Sequence, residues 1–116
     1  MIKRFILINF ILLGNLLASS VITCGDAFRF EDNSDGKYSL HKSSQERAQK
    51  EAENFMGKKI KKPYGSSWIL NDTKEQKLEN MISLIEIFWC ENINMPLHSA
   101  YYNFYMRNKD VWEINK

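Results

Sequence analysis

Phe5 to Leu17 is a run of thirteen residues without a charged side chain. Lys3 and Arg4 stand ahead of it, and Ala18-Ser19-Ser20 follow it. A basic head, an apolar run of that length and a small-residue site are the three parts of an export signal. Residues 1–20 are therefore read as a signal peptide. The most apolar stretch of the chain is thereby withdrawn from the fold, and fewer than a hundred of the 116 residues remain to build a domain. A domain of that size buries a modest share of its surface and has little stability to spare.

Two other fates of this segment follow from the same residues. Phe5 to Ile22 spans eighteen residues, the lower limit for a membrane-crossing helix. Asn9 and Asn15 interrupt it, and each is costly in lipid, so a retained anchor is the weaker reading. Val21-Ile22-Thr23-Cys24 partly resembles a bacterial lipobox, which ends in the cysteine to be lipidated. Val21 fits that pattern, but Ile22 is bulky, and Thr23 stands where Gly or Ala is usual.

Loss of the signal also changes the charge. The whole chain has sixteen basic and fourteen acidic residues. Lys3 and Arg4 leave and no acid precedes Asp26, so the remainder is neutral. Nucleic-acid binding draws on a surplus of Lys and Arg against phosphate, and no such surplus remains.

Cys24 and Cys90 are the two cysteines. In an exported chain two cysteines are expected to pair. A bond closing so long a loop is worth about 4 kcal/mol in the chain-entropy account. Lipidation of Cys24 would consume its thiol and leave Cys90 free, so the two fates of Cys24 exclude each other.

The expected architecture is all-α, a small domain of three helices. Residues 21–42 are read as an N-terminal linker or a short β-hairpin, and residues 43–116 as the helical domain. The hairpin reading rests on Asp32 to Gly36, dense in turn formers, with Phe28 and Phe30 alternating before it and Tyr38 and Leu40 after it. The first helix is expected to begin at Ser43, where Ser43 and Glu46 have capping-box spacing. Ala48, Ala52, Phe55 and Met56 would form its inner face, and Gly57 would close it. The lysine-rich run Lys58 to Lys62 and the Pro63-Tyr64-Gly65 stretch read as a solvated loop.

The second helix carries the strongest pattern. Asp72 and Glu75 have capping-box spacing, and Leu78, Met81, Ile82, Ile85, Phe88 and Trp89 share one broad face. Leu84 borders it, and Ile87 points away. Cys90 lies off the core face, where another segment could reach it. A third helix starts near Pro96 and repeats Leu97, Tyr101, Phe104, Tyr105, Val111 and Trp112.

Motifs that would carry chemistry are weak. Asn33, Asp35 and Gly36 match three positions of a calcium loop, but Lys42 stands where the closing carboxylate belongs. Cys24, His41, Cys90 and His98 lack the local pairs of a zinc site. A nucleophile pair of Cys90 with His41 or His98 has no motif behind it. Asn71-Asp72-Thr73 fits a glycosylation acceptor if the chain passes through a eukaryotic secretory pathway. The aromatic cluster from Tyr101 to Trp112 offers core material and a contact surface, and Tyr102 and Trp112 are its candidate partner-binding residues.

These residues point to an exported, non-catalytic module that binds another protein, of the kind that inhibits, confers immunity or assists secretion. No metal and no cofactor is expected. The alternative is a lipoprotein tethered through Cys24, with a structural or assembly role. A membrane enters only through that lipid or a retained signal.

Overall fold

The computed structural model describes residues 21–65 and 73–112. The signal segment, Asn71 and Asp72 lie outside the described residues. Those residues form four α-helices and no strand.

Helix α1 (Cys24–Phe28) is one short turn capped at both ends of its first hydrogen-bonded ring. Thr23 Oγ1 accepts from the Asp26 amide at 3.1 Å, and the Asp26 carboxylate accepts from the Thr23 amide at 3.0 Å. That reciprocal cap lets so short a helix persist. The same amide hydrogen bond, foremost, holds the Asp26 carboxyl below its ordinary pKa. The chain then turns through Asn33, at φ 65°, and enters α2 (Asp35–Met56).

Helix α2 overturns the hairpin reading. Ser34 is its N-cap, with Oγ accepting from the Lys37 amide at 3.2 Å. Tyr38 and Leu40 belong to its first turns, and the expected boundary between residues 42 and 43 falls inside it. The physical reason is that turns and helix N-termini use the same residue types, Asn, Ser and Asp. Ser43 is not a cap; its hydroxyl bonds the Leu40 carbonyl at 3.1 Å on the helix surface. The Phe30 ring lies against Gly36, where a Cβ would collide with it. Gly57 closes the helix at φ 71°, as its place after the last turn predicts.

The expected inner face of α2 is half right. Ala48 and Ala52 are buried, but Phe55 and Met56 are exposed. After Gly57 the chain folds back and the Ile60 amide donates to the Glu53 carboxylate at 3.0 Å. Ile60 thus joins the core in place of Phe55 and Met56. Lys61 and Lys62 amides both donate to the Val111 carbonyl, so this lysine loop is pinned at its backbone while its charges face water.

Helix α3 (Lys74–Leu84) is capped by Thr73 and Gln76, one residue later than the Asp72–Glu75 spacing implies. It runs directly into a π-helical turn (Ile85–Trp89), in which the Cys90 amide donates to the Ile85 carbonyl. Helix α4 (Leu97–Arg107) follows, with Pro96 as its N-cap, and a 3₁₀ turn (Lys109–Val111) ends the described chain.

Helices α2 and α4 form the principal pair, and the π-turn packs on α4. Leu97, Ala100, Tyr101, Phe104 and Tyr105 of α4 meet Ala48 and Ala52 of α2, whose small side chains let the axes approach. Leu78, Met81, Ile82 and Ile85 are buried as their spacing predicts. Ile85 is fully buried at the junction of α3 and the π-turn. Ile85→Ala should cost about 2–5 kcal/mol, read as a lower melting temperature. A variant that melts like the parent would place Ile85 outside the core.

Candidate functional site

The sequence around Cys90 is shaped by the π-turn. In an α-helix the ring closes four residues on; here it closes five residues on, so each residue rotates less about the axis. Phe88 therefore falls off the inner face and is 72% exposed, contrary to its helical spacing. Trp89 stays half-buried and packs edge-on against Phe104, with ring centroids 5.7 Å apart. Ile87 is 69% exposed and Leu84 borders it. Leu84, Ile87 and Phe88 are all exposed and give this end of the molecule an apolar outer surface.

Two restraints hold that face in place. The first is the Cys24–Cys90 disulfide, with α-carbons 6.0 Å apart. Backbone bonds run beside it: Cys24 amide to Met95 carbonyl, Gly25 amide to Ile93 carbonyl and Leu97 amide to Ile22 carbonyl, at 2.8, 2.9 and 2.7 Å. Thr23 also forms an isolated antiparallel bridge with Pro96. Residues 22–25 are thus built into the domain against the loop that leads into α4, not held as a tether. With its sulfur bonded, Cys90 is unavailable as a nucleophile.

The second restraint is a buried polar chain that sequence reasoning missed. Lys37 Nζ, on a residue only 4% exposed, donates to both Glu86 oxygens at 2.9 Å. His41 Nε2 lies 2.8 Å from Glu86 Oε2, and His41 Nδ1 lies 2.7 Å from the Tyr101 hydroxyl. A carboxylate only accepts, so Nε2 carries the proton; Nδ1 then accepts from Tyr101. Burial, opposed by Glu86, holds the His41 pKa below its ordinary value, and burial pushes the Tyr101 hydroxyl well above its own. One turn further along α2, Gln45 donates to the Tyr105 hydroxyl at 2.9 Å, and Tyr105 donates to the Pro63 carbonyl at 2.6 Å. The signal for this chain was present: the Ala48/Ala52 stripe, extended backward at helical period, runs through Gln45, Ser44, His41 and Lys37. Polar side chains at those positions hid it.

A cavity of about 150 Å³ opens beside Lys37, between the start of α2 and α3, lined by Asp32, Ser34, Tyr38, Glu79 and Ile82. Its ammonium is already committed to Glu86, with the exposed Asp32 at 3.5 Å on its other side. Among the described residues no group of three or more His, Cys, Asp or Glu side chains is arranged to hold a metal ion. Asp35 and Gly36, candidates for a calcium loop, lie instead in the first turn of α2.

The two candidate contact residues part company. Tyr102 is half-buried at the edge of the core. Trp112 is 6% exposed, and its indole N–H donates to the Tyr105 carbonyl at 2.9 Å. An indole satisfied inside the core offers a partner nothing, so Trp112 is a packing residue. The apolar outer face lies instead on the π-turn. Among the described residues no helix is long and apolar enough to cross a membrane. No protein-family model, curated protein or solved structure matches the chain.

Proposed function

We propose that this chain is an exported, non-catalytic binding module whose contact surface is the exposed Leu84, Ile87 and Phe88 where α3 runs into the π-turn. The observation that carries this reading is a large exposed apolar pair, Ile87 and Phe88, on a turn held from both sides. Exposed apolar side chains gain most from a partner when they are already ordered, because association then costs less conformational entropy. The disulfide beside Cys90 and the Lys37–Glu86 pair supply that order. A bonded pair of cysteines suits an oxidising compartment, which supports export. His41 and Glu86, the groups best suited to proton transfer, are spent on each other inside the fold; this supports a binding role over a catalytic one.

The tethered alternative, lipidated at Cys24, is less well supported. Its processing would cut ahead of Cys24, removing the Thr23 cap and the Ile22–Leu97 hydrogen bond. It would also take the thiol that bonds Cys90. Intact mass of the mature protein separates the two readings, since it reports lipid and the disulfide together.

The binding face is tested by Ile87→Ser with Phe88→Ser. Both side chains are exposed, so the melting temperature should stay within a few degrees of the parent. Cross-linking to proteins of the same compartment should fall at least tenfold. A folded double variant that cross-links as the parent does would move the contact surface elsewhere.

A further inference from the structure

The Lys37–Glu86–His41–Tyr101 chain is fully satisfied in one protonation state only. Lys37 and Glu86 balance in charge, the His41 Nε2 proton goes to Glu86, and the Tyr101 proton goes to Nδ1. Three elements meet there: α2 through Lys37 and His41, the π-turn through Glu86, α4 through Tyr101. A second proton on the ring would sit at Nδ1 and point at the Tyr101 oxygen. The phenol proton would then be displaced, and among the described residues the Tyr101 hydroxyl has no other hydrogen-bond partner. The ring would also bring a second positive charge to a carboxylate already matched by Lys37.

Among the described residues Glu86 alone favours that charge, and it is already shared with Lys37. Tyr101 and Tyr105 of α4 and Tyr64 of the loop after α2 all stay protonated, their hydroxyls raised by burial. Asp32, the remaining acid on Lys37, is on the surface. A buried charge whose one carboxylate is already matched by an ammonium is best relieved by water, and the fully buried His41 meets water when α2 moves off the π-turn and α4.

We propose that His41 is an acid-operated latch: in its neutral form it ties α2 to the π-turn and α4, and its protonation releases them. The proposal does not depend on what the outer face of the π-turn binds. The sign follows from linkage. Burial depresses the folded-state pKa below 6.5, so an opened form binds the proton first as pH falls. The latch contributes in full above about pH 6.5, and its contribution shrinks as pH falls through that value toward the folded pKa.

The experiment compares melting temperature and amide hydrogen exchange at about pH 7.5 and about pH 5. The parent should lose roughly 5 °C or more, and amides of residues 85–90 should exchange faster at the lower pH after correction for intrinsic rates. His41→Gln should lose most of that pH dependence, because its amide donates to Glu86 and accepts from Tyr101 without titrating. His98 is also depressed, by partial burial and then Arg47, so it adds a smaller share of the same sign; His98→Gln is the control and should keep most of the parent's slope. If His41→Gln does not fold, ring nitrogen NMR of the parent decides: exchange at residues 85–90 should rise in step with His41 protonation. A parent melting temperature that is flat over this range, a parent-like slope in His41→Gln, a slope lost in His98→Gln, or His41 protonating with no change in exchange would each overturn the latch.

Discussion

Reducing the Cys24–Cys90 bond should lower the melting temperature by roughly 15–30 °C. The bond joins residues separated by 66 positions. In the chain-entropy account a loop of that length contributes about 4 kcal/mol, mostly by restricting the unfolded chain. For a domain of this size each kcal/mol corresponds to about 4–8 °C. Cys90→Ser should reproduce the loss without reductant. The three backbone bonds that seat residues 22–25 against Ile93, Met95 and Leu97 do not involve the sulfurs. The folded reduced protein should therefore keep α1 in place, with faster amide exchange there than in α2. Calorimetry with and without reductant is the measurement. A reduced protein melting within a few degrees of the oxidised one would mean that the N-terminal segment holds by its hydrogen bonds alone.

Glu86→Ala should be nearly as damaging, at about 3–5 kcal/mol. Its loss strands the Lys37 ammonium, buried with only the surface carboxylate of Asp32 at 3.5 Å, and leaves the His41 Nε2 proton without its acceptor. The size of the loss reflects abandoned partners and not the worth of the ion pair itself. Lys37→Met combined with Glu86→Leu removes both charges and fills the space with apolar atoms. That double variant should be clearly more stable than the sum of the two single losses, a coupling read from a double-mutant cycle by denaturant unfolding. Strict additivity would show that the two side chains do not meet in the folded protein.

The legibility of the chain varied with the kind of signal. Leu78, Met81, Ile82 and Ile85 were readable because one face of a helix needs only a period, and the period is in the sequence. Leu97, Tyr101, Phe104 and Tyr105 were readable for the same reason. The pairing of the cysteines followed from their number and the export expected from residues 1–20, but not their neighbourhood: nothing local places Cys24 beside Met95 and Cys90. The start of α2 was misread because Ser34 and Asp35 serve a helix cap and a turn equally well. Trp112 was misassigned because a large aromatic is core or contact surface according to what stands over it.

The sequence by itself determined the helical class, the main apolar stripes and the closing of α2 at Gly57, since these depend on spacing and on local backbone preference. Tertiary structure alone decided the rest. The π-turn widens one ring after α3, turning Phe88 outward and bringing Glu86 to Lys37 and His41. Neither event has a local cause: a wide ring and a buried charge are unfavourable in isolation. They hold because Lys37, His41 and Tyr101, from other helices, complete the hydrogen bonds that the low-dielectric interior requires.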